Sequence, residues 1–152
     1  MMKPYKIPTI KLSYVNDNPI EATTIRNSKD SAMIFRDSFE SGEIEMQEYF
    51  KVLYLNNRNK ILGIHTVSMG GCEATVVDMK ILFSGALLAK ASAIIVCHNH
   101  PSGELKPSIE DNKLTCQIQE GSKLLGMKLL DHIILSSAGF YSYADESRLT
   151  LA

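Results

Sequence analysis

The sequence predicts a single-domain mixed α/β (α+β) protein, one mixed β-sheet flanked by helices. Its 152 residues suit one domain, and 45% hydrophobic content supplies one core of ordinary size. Glu48 to Asn56 is rich in β-branched and aromatic residues, Asn57-Arg58-Asn59-Lys60 reads as a turn, and Ile61 to Val67 reads as a returning arm. That pattern is a β-hairpin. Beyond it, helical spacings alternate with short apolar runs, which places helices between strands of a shared sheet.

The elements follow in order. Ile7 to Val15 alternates weakly, as an edge strand would, and Asn16-Asp17-Asn18-Pro19 is a turn signal. Asn27 or Ser28 can cap a helix running to Phe39, with Ala32, Ile34 and Phe35 inward, before Ser41-Gly42 breaks it. Met69-Gly70-Gly71 ends the hairpin. Thr75 to Ala89 is apolar at Val76, Met79, Phe83, Ala86 and Leu87, which is helical spacing. Its other faces are apolar too, so a largely buried helix is expected. Ala91 to Cys97, bounded by Lys90 and His98, suits a central strand. His98 to Pro107 is a loop punctuated by two prolines and a glycine. Ser108 to Leu125 is a helix with Gly126 as the residue that stops it, and Lys128 to Leu135 and Gly139 to Tyr143 are the last strands.

The formal net charge is -1, and the 16 Lys and Arg residues are dispersed. A protein that grips duplex DNA normally presents a basic face, so direct duplex binding is not expected. The cysteines number 3, an odd count, and Cys72, Cys97 and Cys116 form no C-x-x-C pair. Neither a disulfide framework nor a cysteine-built zinc site is expected, and a reducing cytoplasm fits best. Met1 to Tyr14 does not read as a signal peptide, and no apolar stretch is long enough to span a membrane.

The chemistry concentrates in His98-Asn99-His100-Pro101-Ser102-Gly103, directly after an apolar strand. Two imidazoles one residue apart can face the same side of an extended chain end, and Pro101 biases His100 toward that geometry. Asp111, on the first turn of the next helix, could close a third corner. Two histidines and a carboxylate with an open fourth position is how catalytic zinc is held. A second explanation stands beside it: Ser108-Ile109-Glu110-Asp111 is close to a capping box, which alone would account for Ser108 and Asp111. Other metal motifs fit less well. The helical His-Glu-x-x-His is absent. Ser102 stands where a metallo-β-lactamase-like pattern wants aspartate. A His-x-His-x3-Glu cupin pattern is nominally present through Glu104, but its flanking glycines are missing and the helical segments oppose an all-β fold. The chain is too short for a barrel amidohydrolase.

His98-x-His100-x7-Ser108-x2-Asp111 resembles the motif of the JAMM (JAB/MPN) metalloprotease superfamily at every spacing. HNHPSG at 98–103, followed by Pro107-Ser108 and Asp111, is closer still to its RadC-like branch, and LLDHIIL at 129–135 resembles that branch's strand after the second helix. The resemblance runs from about Glu45 to Tyr143, leaving 1–44 as an N-terminal strand and helix extension ahead of a 45–152 domain. It implies a curved mixed sheet with one zinc ion at its edge, held by His98, His100, Asp111 and water. It implies that Ser108 helps hold an oxyanion and that a glutamate at the head of an early strand moves the water's proton. Glu48 fits that place, with Glu45 and Glu43 as rivals. The implied activity is that of a zinc-dependent metallopeptidase or isopeptidase, acting on a peptide or protein substrate.

The chain departs from longer RadC-like proteins. It lacks their helix-hairpin-helix glycines, and the segment from Thr75 lacks the usual basic, proline-containing character. Both departures weaken any DNA role. A non-catalytic MPN-like protein-binding scaffold and a DNA-repair accessory protein are the competing functions; intact ligands argue against the first and near-neutral charge against direct duplex binding in the second. The candidate N-terminal edge strand could mediate oligomer formation. Of the remaining polar residues, His132 is expected to be a packed, hydrogen-bonded core histidine, Cys97 a small core residue pointing away from the metal, and Asn99 a brace for the loop.

Overall fold

The structure is a computed structural model that describes residues 9–11, 13–15, 23–71 and 76–149. Its elements are α1 (Ser28–Asp37), α2 (Glu43–Met46), β1 (Tyr49–Leu55), β2 (Ile61–Met69), α3 (Met79–Leu88), β3 (Ala93–Asn99), α4 (Ile109–Leu124), β4 (Lys128–Leu135) and β5 (Phe140–Ser142). The five strands form one sheet in the order β2-β1-β3-β4-β5. The β1–β2 hairpin is antiparallel, β1 pairs antiparallel with β3, β3 runs parallel to β4, and β5 returns antiparallel on β4. The fold is therefore the expected mixed sheet with helices, and the central strand expected at Ala91 to Cys97 is found two residues later, at Ala93–Asn99.

The sheet separates two apolar cores. On one face Phe50, Val52, Tyr54, Ile94 and Val96 pack with Leu82 and Ala86 of α3 and Ile118 of α4. On the other, Leu53, Leu55, Ile95, Cys97, Ile133 and Leu135 pack with Ala32 and Phe35 of α1. β1 and β3 are buried along their whole lengths. Strands covered on both faces read as near-continuous apolar runs, as these do apart from Lys51 in β1 and His98 and Asn99 at the end of β3. Each fully buried Phe, Leu or Ile contributes about 1.5–3 kcal/mol through removal from water.

Local chemistry sets the ends. Asn27 caps α1 by accepting from Asp30 N–H, and the helix stops at Asp37, two residues before Phe39. The short α2 starts after Gly42, whose φ is +86°, in the left-handed region that glycine tolerates. Sequence periodicity cannot reveal a helix of one turn. The helix expected from Thr75 begins at Met79, because Asp78 accepts from Lys80 N–H and caps it there; Thr75, Cys72 and Asn16–Pro19 lie outside the described residues. α3 is also less buried than expected. Leu82, Ala86 and Ala89 face the sheet, whereas Ile81, Leu87 and Leu88 are exposed, since among the described residues α3 covers one sheet face and carries no second layer. Residues 9–11 and 13–15 form no strand; instead the Tyr14 hydroxyl donates to the Leu62 carbonyl. Gly126 follows α4 with φ +70°, and Met127 N–H closes back on the Ser122 carbonyl. Among the described residues no helix is long and apolar enough to cross a membrane.

Candidate metal centre

The expected loop at 98–107 starts later than the sequence suggests, because β3 continues through His98 and Asn99. Pairing extends one residue further, with His100 N–H donating to the Leu135 carbonyl at 2.8 Å. The chain stays extended, so His98 and His100 share a face while Asn99 takes the opposite one. The two Nε2 atoms stand 2.9 Å apart.

Asp111 reaches them from the first turn of α4. Ser108 Oγ accepts from Asp111 N–H at 3.0 Å, and Asp111 Oδ2 accepts from Ser108 N–H at 2.7 Å, a complete capping box. That pairing turns Asp111 Oδ1 to within 3.2 Å of His98 Nε2, with Oδ2 3.7 Å from His100 Nε2. The two sequence explanations of Asp111 thus coexist: the cap aims the carboxylate at the histidines. Burial acts to raise the Asp111 carboxyl, but the hydrogen bond and charge of His98 and the Ser108 donors outweigh it and hold the group well below the usual carboxylate range.

The protonation pattern at His100 follows from its partner. Its Nδ1 lies 2.6 Å from the Glu104 carbonyl oxygen, which can only accept, so Nδ1 donates and Nε2 is the nitrogen turned toward His98 and Asp111. His98 is buried and stacked on Phe50 with 6.2 Å between ring centroids. One donor atom each from His98, His100 and Asp111 lie within 4.8 Å of one another. Two imidazole nitrogens and a carboxylate oxygen are a donor set that a divalent cation such as zinc satisfies. Among the described residues this is the one group of His, Cys, Asp and Glu side chains so arranged.

These three side chains form one wall of a cleft of about 650 Å³, also lined by Glu48, Phe50, Val77, Ser108 and Leu114. Glu48 is half-buried, immediately ahead of β1. Its backbone is tied to the end of the hairpin, with Glu48 N–H donating to Gly71 and Gly70 N–H donating to Glu48. On the other side Asn99 Oδ1 accepts from Tyr49 N–H, and its Nδ2 donates to the Ile44 and Gln47 carbonyls, each at 2.8 Å. Asn99 therefore braces the segment that bears Glu48 while sitting between His98 and His100. Glu43 is engaged elsewhere, accepting from the Tyr49 hydroxyl and Glu40 N–H, and Glu45 lines a separate recess beside Arg36 and Phe39. Of the three glutamates, Glu48 alone lines the histidine cleft.

His132 is, as expected, a fully buried, hydrogen-bonded histidine. Its partner was not legible in the sequence: His132 Nε2 lies 2.8 Å from His98 Nδ1, behind the candidate metal site. The usable signal was a polar residue within an apolar strand that pairs with the His-x-His strand. Cys97 joins the opposite core, and burial pushes its thiol up.

A mixed sheet whose central strand ends in His-x-His, with an aspartate entering from the following helix, defines a JAB-type domain. The family described as RadC-like JAB domain matches residues 25–149, and the chain belongs to it. The match takes in α1, ahead of Glu45. Among similar proteins are a UPF0758 protein of Flavobacterium johnsoniae, 40% identical over 122 residues, covering 80% of this chain and 52% of that protein. Another, from Porphyromonas gingivalis, is 42% identical over 104 residues, 68% of this chain and 46% of that one. A third, from Methanosarcina acetivorans, is 42% identical over 102 residues, 67% of this chain and 44% of that one. The chain spans about half the length of the curated relatives it matches.

Proposed function

We propose that the chain is a zinc-dependent hydrolase of peptide or isopeptide bonds. The observation that carries this reading is the convergence of His98, His100 and Asp111 on one point in a cleft that also holds Glu48 and Ser108. Zinc held by the three ligands would lower the pKa of a bound water to about 7 and polarise a substrate carbonyl.

The remaining roles belong to the chain. Glu48 takes the proton from the attacking water as a general base, then gives it to the leaving amine as a general acid. Ser108 uses its oxygen as an acceptor in the cap, so its hydroxyl proton is available to donate to the developing oxyanion. His98 and Asp111 are shielded from water, which strengthens the electrostatics of the site. Val77 and Leu114 give the cleft an apolar flank for a substrate side chain.

The test is Glu48→Gln. Purified, zinc-loaded protein is incubated with a mixed peptide and isopeptide library, and new amines are identified by mass spectrometry. Cleavage by wild type and none by the variant, with zinc content equal in both, is the expected result. Equal cleavage by the variant would remove Glu48 from the mechanism.

A further inference from the structure

A chain of contacts runs from α4 to the first ligand. Thr115 Oγ1 lies 2.6 Å from the Asp111 carbonyl oxygen and 2.7 Å from His132 Nδ1. His132 Nε2 in turn lies 2.8 Å from His98 Nδ1, and His98 Nε2 faces His100 and Asp111. All three relay residues are buried.

Elementary hydrogen-bond chemistry gives the chain a direction. A carbonyl oxygen only accepts, so the single Thr115 hydroxyl proton goes to Asp111. Thr115 Oγ1 must then accept from His132, which places the proton of the neutral His132 ring on Nδ1. His132 Nε2 is left as an acceptor, so His98 donates from Nδ1, which leaves Nε2, on the side of His100 and Asp111, as the nitrogen for a metal. Ligand histidines commonly have their second nitrogen fixed by a carboxylate, a carbonyl or water. Here a second histidine does it, and a threonine fixes that histidine.

We propose that Thr115, acting through His132, is a positioning residue that locks His98 in the tautomer able to bind a metal at Nε2. Without the threonine oxygen, His132 gains by moving its proton to Nε2. It then donates to His98 Nδ1, and the His98 proton shifts to Nε2, where it blocks the ligand position. The hydroxyl that returns to the Asp111 carbonyl ties the relay to the helix turn that carries the third ligand. The relay rests on the metal reading above, but the tautomers exist in metal-free protein and are measured there.

The experiment is nitrogen-15 NMR of histidine-labelled, metal-free protein, with zinc affinity measured by chelator competition. Wild type is expected to show His98 and His132 protonated at Nδ1. Thr115→Val should move both toward the Nε2-protonated form and weaken zinc binding about 10–100-fold. Thr115→Ser should restore both readouts, and Thr115→Ala serves if the valine variant folds poorly. Unchanged tautomers in Thr115→Val and Thr115→Ala would overturn the relay, as would unchanged zinc affinity. Failure of wild type to bind zinc would instead overturn the metal reading, a result distinct from any change in tautomer.

Discussion

Asp111 and Ser108 fix each other at the start of α4: each accepts from the other's backbone N–H, at 2.7 and 3.0 Å. The exchange satisfies two helix-end donors and turns Asp111 Oδ1 toward His98 Nε2 at 3.2 Å. A local folding device thereby presents the Asp111 carboxylate to the two histidines, and its two partners have separable consequences.

Ser108→Ala removes the side-chain acceptor but keeps the backbone N–H that holds Asp111 Oδ2. The expected outcome is a loss of about 1 kcal/mol in stability with zinc still bound. Urea unfolding and metal content check the two halves. Complete loss of zinc in this variant would show that the backbone half of the cap does not aim Asp111.

Asn99 joins β3 to the segment bearing Glu48 through three hydrogen bonds. Asn99→Leu leaves the Tyr49 N–H and the Ile44 and Gln47 carbonyls without that partner. A destabilisation of about 2 kcal/mol or more is expected, since each buried polar group left unpaired costs about 1–3 kcal/mol. Amide exchange at Tyr49 should quicken by more than the global change in stability accounts for. Exchange tracking global stability alone would contradict a local brace.

Asp131 supplies the pH dependence. It is buried on β4 and accepts from Ser142 Oγ at 2.6 Å, His132 N–H at 2.7 Å and Ala144 N–H at 3.0 Å. Burial raises its carboxyl above the ordinary value despite these donors. The folded state therefore holds the proton more tightly than the unfolded chain. The resulting stability is full below the unfolded carboxyl's pKa of about 3.9 and is lost as pH rises through the folded value. Relative to Asp131→Asn, wild type should gain stability as pH falls from neutral toward 4, by at most about 1.4 kcal/mol per pH unit. Urea unfolding of both proteins across that range reads the difference, and a flat difference would contradict the raised carboxyl.

Much of this was legible in the residues because local patterns carry it. The hairpin, the central apolar strand, α4 with its capping box, and the shared face of His98 and His100 each follow from periodicity or from side chains a few positions apart. The failures have equally physical causes. The exposure of Ile81, Leu87 and Leu88 depends on what does not cover α3, which no property of the helix announces. The α2 turn is too short to have a period. His132 lay in view as a core histidine, but its contact with His98 arises from pairing across 34 positions of sequence. The choice of Glu48 for the cleft likewise depends on where β1 meets β3, although the sequence had narrowed it to three glutamates.

The most direct test of the central claim is elemental analysis of purified wild type beside His100→Ala and Asp111→Ala. The account predicts about one zinc per chain in wild type and loss of it in both variants, with each variant still folded by circular dichroism. Wild type that takes up no zinc, even after zinc is added and the excess removed, would contradict it and leave Asp111 as a helix cap beside two histidines.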